Sequence, residues 1–321
     1  MKTTFLCGLD QIELPMISGR GERFADDYYI TRDRSRITAL LERFGNALGS
    51  VEARYLADRA KAVVYRSSDT EGDEVDLGTF LEKALIKDML RLKSLELGLW
   101  LVKDNASLFD RTWIAAPPDR GIMVHTNTWA SRNSSADGSF RAVPFSIEEL
   151  RIARSIQTPQ LPLYIRQNDS PTSLQKGSER FSRFQYFIGA ARSIPDVALK
   201  IAQYCSGLEA LVSTSQQELS HQVSERVAAV LHPPGDDRIT TYKLVKQAYG
   251  FRSKAVHGAT FKPNEVAQLK QISKGIDRVC RAVFEAYIED TSPFREALET
   301  SDEDLNGFLI QILLGSAAST L

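Results

Sequence analysis

The spacing of apolar residues changes character partway along the chain. Over the first 160 residues, short runs rich in β-branched and aromatic residues predict strands at 3–9, 12–17, 28–31, 62–65, 113–115 and 122–128. Two helical patterns lie between them. One carries Ile37, Leu40, Leu41, Phe44, Leu48 and Val51. The other carries Leu77, Phe80, Leu81, Ala84, Leu85, Met89 and Leu92. Pro117 with Pro118, and residues 132–138, mark loops. Ser146 followed by Glu149 has the spacing of a capping box and opens a predicted helix through Ile156.

From about residue 178 the period becomes 3.6 and stays so. Phe181, Phe184, Ile188 and Ala191 mark one helix. Val197, Ile201, Tyr204, Cys205, Leu208, Leu211 and Val212 mark a second, with Pro195 near its first turn. Leu219, Val223, Val227, Val230 and Leu231 mark a third, stopped by Pro233, Pro234 and Gly235. Ile239, Tyr242, Val245, Ala248 and Tyr249 begin a fourth, and Val266 through Tyr287 a long fifth. Short connections between such helices predict an antiparallel bundle. The fold class is therefore α+β. A mixed α/β region (1–160) is followed by a Pro-, Ser- and Thr-containing linker (161–177) and an all-α bundle (178–321).

Composition adds limits. The chain has 321 residues, 43% hydrophobic and 25% charged, so it can bury real cores and is not disordered as a whole. Forty basic against 41 acidic residues exclude a bulk polycation, so any polyanion must meet a local patch. The three cysteines, Cys7, Cys205 and Cys280, are too widely spaced for a zinc ribbon or a CxxC motif and read as reduced thiols. No signal peptide is expected, because the apolar run after Lys2 stops at Asp10. The uncharged stretch 305–321 puts Leu305, Phe308, Leu309, Ile312 and Leu313 on one helical face. It reads as a docked C-terminal helix rather than a span, and the expected compartment is the cytoplasm.

No phosphate-binding glycine loop, dinucleotide fingerprint or GxSxG elbow is present. None of the histidines, His125, His221, His232 and His257, pairs with another His or Cys at ligand spacing, so neither a metal site nor a cofactor is expected. Residues 249–258 (YGFRSKAVHG) stand out. Between 238 and 264 lie Arg238, Lys243, Lys246, Arg252, Lys254 and Lys262 and no acid, a patch suited to a polyanion. The same residues also fit a solvated helix end, with His257 near the C-terminal dipole and Gly258 as the residue after the cap. On an ideal helix Arg252 and His257 point about 140° apart. A functional pair needs a distorted helix end or a second copy of the chain.

Residues 206–212 (SGLEALV), 224–231 (SERVAAVL) and 249–258, with Arg-x4-His inside the last, resemble the HEPN superfamily of helical ribonucleases. They are most similar to the Apea-like HEPN group of prokaryotic defence proteins, over roughly residues 178–290. The resemblance implies a metal-independent endoribonuclease that acts as a homodimer, with Arg252 and His257 of both subunits facing one groove. It implies an antiphage or toxin-like effector whose target is RNA and whose trigger or regulatory partner the sequence does not name. In that chemistry the RNA 2′-OH attacks its own 3′-phosphate. His257 moves protons near neutral pH and Arg252 stabilises the crowded phosphate.

Ser253 is either a phosphate contact or a local cap, and Lys254 either extends the phosphate contacts or is a solvated lysine, with Lys246 as a further cation. Glu209, an acid amid an apolar helix, either pairs with Arg252 or faces solvent. Tyr249, one turn before Arg252, is a core or supporting residue. Two positions after the histidine stands Ala259 in place of the tyrosine that nucleotidyltransferase-paired HEPN toxins carry, so control by tyrosine modification is not implied. Residues 1–160 are the candidate for sensing or restraint. Two other readings remain: a non-catalytic HEPN-like dimer that binds RNA or a protein partner, and a helical oligomerisation domain joined to an unrelated α/β domain.

Overall fold

The computed structural model describes residues 2–69, 76–116, 122–128, 132–156, 172, 174–175, 177–215, 217–289 and 291–315. The chain forms two compact units: Met1–Asn133 with Phe140–Thr158, and Ser134–Ser139 with Pro159–Leu321. The architecture is α+β.

The first unit runs β1 (Lys2–Asp10), β2 (Ile12–Glu13), β3 (Glu22–Arg23), β4 (Tyr28–Thr31), α1 (Arg34–Leu41), α2 (Ser50–Arg54), β5 (Ala62–Asp69), α3 (Leu77–Val102), β6 (Leu108–Ala115), β7 (Val124–Thr128), β8 (Val143–Pro144) and α4 (Ile147–Ser155). Six strands make an antiparallel sheet in the order β3-β4-β5-β1-β6-β7, and β2 pairs with β8 in parallel. In the central strand β1, Leu6 lies opposite Tyr65 on one side and Trp113 on the other. Both faces of the sheet are covered. Phe5, Cys7 and Leu9 pack with Val64, Ile114 and the apolar face of α3 and α4. Leu6 packs with Val63, Tyr65 and Trp113 against Ile37, Leu40, Phe44 and Leu56. Burial on both sides is why β1 reads as a continuous apolar run rather than an alternating one.

Several boundaries differ from expectation for local reasons. The run at 12–17 pairs only over β2, since Pro15 offers no N–H to a ladder, although Leu14 and Ile17 still fill the core. The pattern over 37–51 is not one helix. Gly45 (φ 51°) and Gly49 (φ 86°) break it into α1, a 3-10 stretch and α2. α3 runs ten residues past Leu92, and Leu95 and Leu99 continue its buried stripe. The capping box at α4 is formed: Ser146 Oγ accepts from Glu149 N at 3.1 Å, and Glu149 Oε2 accepts from Ser146 N at 2.8 Å.

The second unit contains α5 (Arg180–Ser193), α6 (Val197–Val212), α7 (Leu219–Leu231), α8 (Asp236–Val256), α9 (Pro263–Ile288), α10 (Pro293–Leu298) and α11 (Asp302–Leu314). α6 is its centre and packs against α5, α7, α8 and α9. Tyr204, Cys205 and Leu208 of α6 are fully buried, and the Tyr204 hydroxyl donates to Asp277 Oδ1 of α9 at 2.8 Å. Leu305 and Leu309 of α11 are buried, with α11 packed on α7. Among the described residues no helix is long and apolar enough to cross a membrane. All three cysteines are free and buried.

The division between units falls at Thr158 and Pro159, with one exception. Residues 134–139, expected as part of the first region, belong to the helical unit. Ser134 N donates to Arg192 O at 2.8 Å, Ser273 Oγ to Ala136 O at 2.5 Å, and Lys274 Nζ lies 3.1 Å from Asp137 Oδ2. The fully buried Lys200 ammonium donates to Ala191 O at 2.7 Å and Ser134 O at 3.4 Å. Of the expected linker at 161–177, only residues 172, 174–175 and 177 are described; the rest lies outside the described residues.

Candidate active site

α8 carries Tyr249 and Arg252 one turn apart, so both side chains meet the same face of α6. Arg252 Nη2 lies 3.1 Å from Glu209 Oε2. The buried Tyr249 hydroxyl donates to the same carboxylate oxygen at 3.3 Å and approaches Cys205 O at 3.4 Å. The Arg252 guanidinium sits 5.5 Å from the centre of the Tyr249 ring, within cation–π range. Burial, with the Cys205 and Glu209 groups beside it, pushes the Tyr249 hydroxyl pKa well up, so this tyrosine stays a neutral donor. Burial also holds the Cys205 thiol up at about 12, which removes it as a nucleophile at neutral pH. Of the two sequence readings of Glu209, the geometry shows the ion pair.

The same geometry leaves His257 elsewhere. It caps α8 with φ −87° and ψ 6°. Gly258 follows at φ 70°, Gly258 N donates to Ala255 O at 3.4 Å, and Ala259 N donates to Lys254 O at 2.9 Å. That pair of bonds is a Schellman ending, and it requires the left-handed residue that glycine supplies. The imidazole is exposed and has no hydrogen-bond or ion-pair partner among the described residues. Thus one chain gathers Arg252, Glu209 and Tyr249, while His257 stands on the solvent-facing end of the same helix.

The supporting candidates separate too. Ser253 is exposed. Lys254 forms an ion pair with Glu265 at the start of α9. Lys246 donates to the Tyr242 hydroxyl at 3.1 Å, and His221 Nδ1 meets that hydroxyl at 2.9 Å. Lys246 and His221 line a shallow depression of about 370 Å³ of their own. The basic run that has no acid in sequence is therefore partly neutralised in space, because Glu209 and Glu265 reach it from α6 and α9.

Arg252 borders a second, larger cleft of about 540 Å³, whose walls include Arg180, Arg183, Ser206, Glu209 and Asp302. Sequence reasoning missed Arg180 and Arg183. The available signal was their i, i+3 spacing on α5, which matches that of Ser206 and Glu209 on α6 and puts each pair on one face. Such a cleft offers planar cations and a hydroxyl to an anion, and it contains no imidazole. Comparison with family models, with curated proteins and with solved structures returns no match to this chain.

Proposed function

We propose that the chain is a metal-independent endoribonuclease of HEPN type, an antiphage or toxin-like effector acting in the cytoplasm as a homodimer. The observation that supports it is the fixed Arg252. Glu209 and Tyr249 orient its guanidinium at the edge of a cation-lined cleft, and the same helix ends in a solvent-facing imidazole. Preorganised charge of this kind stabilises a phosphorane-like transition state at little reorganisation cost.

In the proposed reaction the RNA 2′-oxygen bonds to the adjacent phosphorus and the P–O5′ bond breaks. The 2′ proton leaves to a base and a proton is delivered to the 5′-oxygen, giving a 2′,3′-cyclic phosphate and a 5′-hydroxyl. His257 serves the proton transfers and Arg252 the phosphate charge. Because one chain holds these two groups apart, the reading requires a second subunit to bring its own pair to the groove.

A second reading, a non-catalytic dimer that binds RNA or a protein partner, is favoured by one fact: nothing among the described residues orients the His257 ring. Analysis of product termini separates the two. The ribonuclease predicts cyclic-phosphate and 5′-hydroxyl ends from a sedimenting dimer, absent with Arg252→Ala and with His257→Ala. Cleavage that survives both substitutions, or a strictly monomeric active protein, removes it.

A further inference from the structure

The cleft between α5, α6 and α8 contains a cation whose side chain has no partner among the described residues. Three guanidinium groups and two carboxylates line it. Asp302 Oδ1 is taken by Arg180 Nη2 at 2.6 Å, and Arg180 also donates to the carbonyls of Ala210, Leu211 and Ser213 at the end of α6. Glu209 is taken by Arg252. The Arg183 side chain is left with no hydrogen-bond or ion-pair partner among the described residues, and its Nε is fully buried without an acceptor. The Nε of Arg252 is buried without an acceptor as well. Burial, and then the neighbouring Arg180 charge, both disfavour the charged form of Arg183.

A half-buried guanidinium beside another is costly unless an anion completes it. Across the cleft the Ser206 hydroxyl likewise has no partner among the described residues. The volume suits a nucleotide-sized ligand rather than a bare ion.

We infer that this cleft is a phosphate-binding site, in which Arg183 is the primary cation and Arg252 and Ser206 complete the shell around a nucleotide phosphate. A guanidinium fork matches phosphate oxygens two at a time, and such charge-assisted bonds are the stronger class. The site exists in a single chain and needs neither His257 nor a second subunit. It therefore goes beyond the ribonuclease reading and does not depend on it.

Two sources of that phosphate are distinguished by two probes. One is AMP. The other is a short 2′-O-methyl oligoribonucleotide, which carries the backbone phosphates but no attacking 2′-OH. Equilibrium binding of each is measured on the full chain as wild type, Arg183→Met and Arg183→Lys, with inorganic phosphate as competitor. At least one probe is expected to bind and to be displaced by phosphate. Arg183→Met weakens it at least about tenfold and Arg183→Lys weakens it less. Binding of AMP identifies a free nucleotide ligand, and binding of the oligonucleotide alone identifies a nucleic-acid backbone.

Arg183→Met is also expected to melt no lower than wild type without ligand, since it removes a half-buried charge that has no partner among the described residues. Failure of both probes to bind, undiminished binding by Arg183→Met, or a clear drop in its Tm each overturns the inference. Lost RNA cleavage with intact Arg183-dependent binding would remove the ribonuclease reading alone.

Discussion

Glu209 Oε2 lies 3.1 Å from Arg252 Nη2 and accepts the Tyr249 hydroxyl at 3.3 Å, so one carboxylate oxygen of α6 holds two residues of α8. Both members of the ion pair are about a quarter exposed, at 28% for Arg252 and 26% for Glu209. Its value to folding is therefore small, about 1 kcal/mol or less. Under the proposed ribonuclease reading its value is positional. Glu209→Gln should change Tm little while lowering RNA cleavage by about one to two orders of magnitude, since misplacement near 1 Å costs on the order of 100-fold. Parallel melting and cleavage measurements check this, and a large stability loss with unchanged specific activity would place Glu209 in the scaffold instead.

The helix end that holds His257 gives a prediction of its own. Gly258 sits at φ 70° in open space, so an added Cβ meets no neighbour and the cost is backbone strain alone. Gly258→Ala should destabilise by about 1 kcal/mol and fray the last turn of α8. Hydrogen exchange at residues 257–259 should quicken, and cleavage should fall more than stability does.

In the first unit the buried pair Arg66 and Asp88 is closed by two bonds, Nη2 to Oδ2 at 2.7 Å and Nε to Oδ1 at 2.8 Å, with the Tyr28 hydroxyl on the same carboxylate. Both side chains are nearly inaccessible. Removing one partner strands a buried charge, so Asp88→Ala should cost about 3–5 kcal/mol. The double variant Asp88→Leu with Arg66→Met should recover much of it. Urea unfolding monitored in the β-sheet unit reads both values.

Asp137 gives a pH signature. Burial alone would raise its carboxyl pKa, but the bonds from Ser139 and Lys274 outweigh burial and hold it at about 2, against an ordinary value of 3.8. A carboxylate depressed on folding stabilises above its unfolded pKa and loses that contribution as pH falls through the folded value. With Lys274 half exposed, the contribution is about 1–2 kcal/mol after screening. The wild type should lose this increment between about pH 4 and pH 2, and Asp137→Asn should show a flatter slope there. Acid titration of Tm compares the two.

Local signals were the legible ones. The capping box at Ser146, the glycine ending at Gly258 and the apolar run of β1 each follow from a few adjacent residues, and each is formed. The five main helices of the bundle were legible because a 3.6 period needs only neighbours. Long-range placement was not. That residues 134–139 join the helical unit depends on Ser273, Lys200 and Lys274, far along the chain. That the Arg183 side chain has no partner among the described residues emerges only when Asp302 and Glu209 are seen to be occupied by other arginines. The basic run from 238 to 264 shows no acid in sequence for the same reason, since the acids that pair with Arg252 and Lys254 stand on other helices.

The most direct test of the account is cleavage of total RNA in the presence of EDTA, comparing wild type with His257→Ala. His257 is exposed and its side chain has no partner among the described residues, so the substitution should leave folding intact. Discrete products are expected from the wild type, and their loss, by about 100-fold or more, in the variant. Equal cleavage by the two proteins, or wild-type cleavage abolished by EDTA, would contradict it.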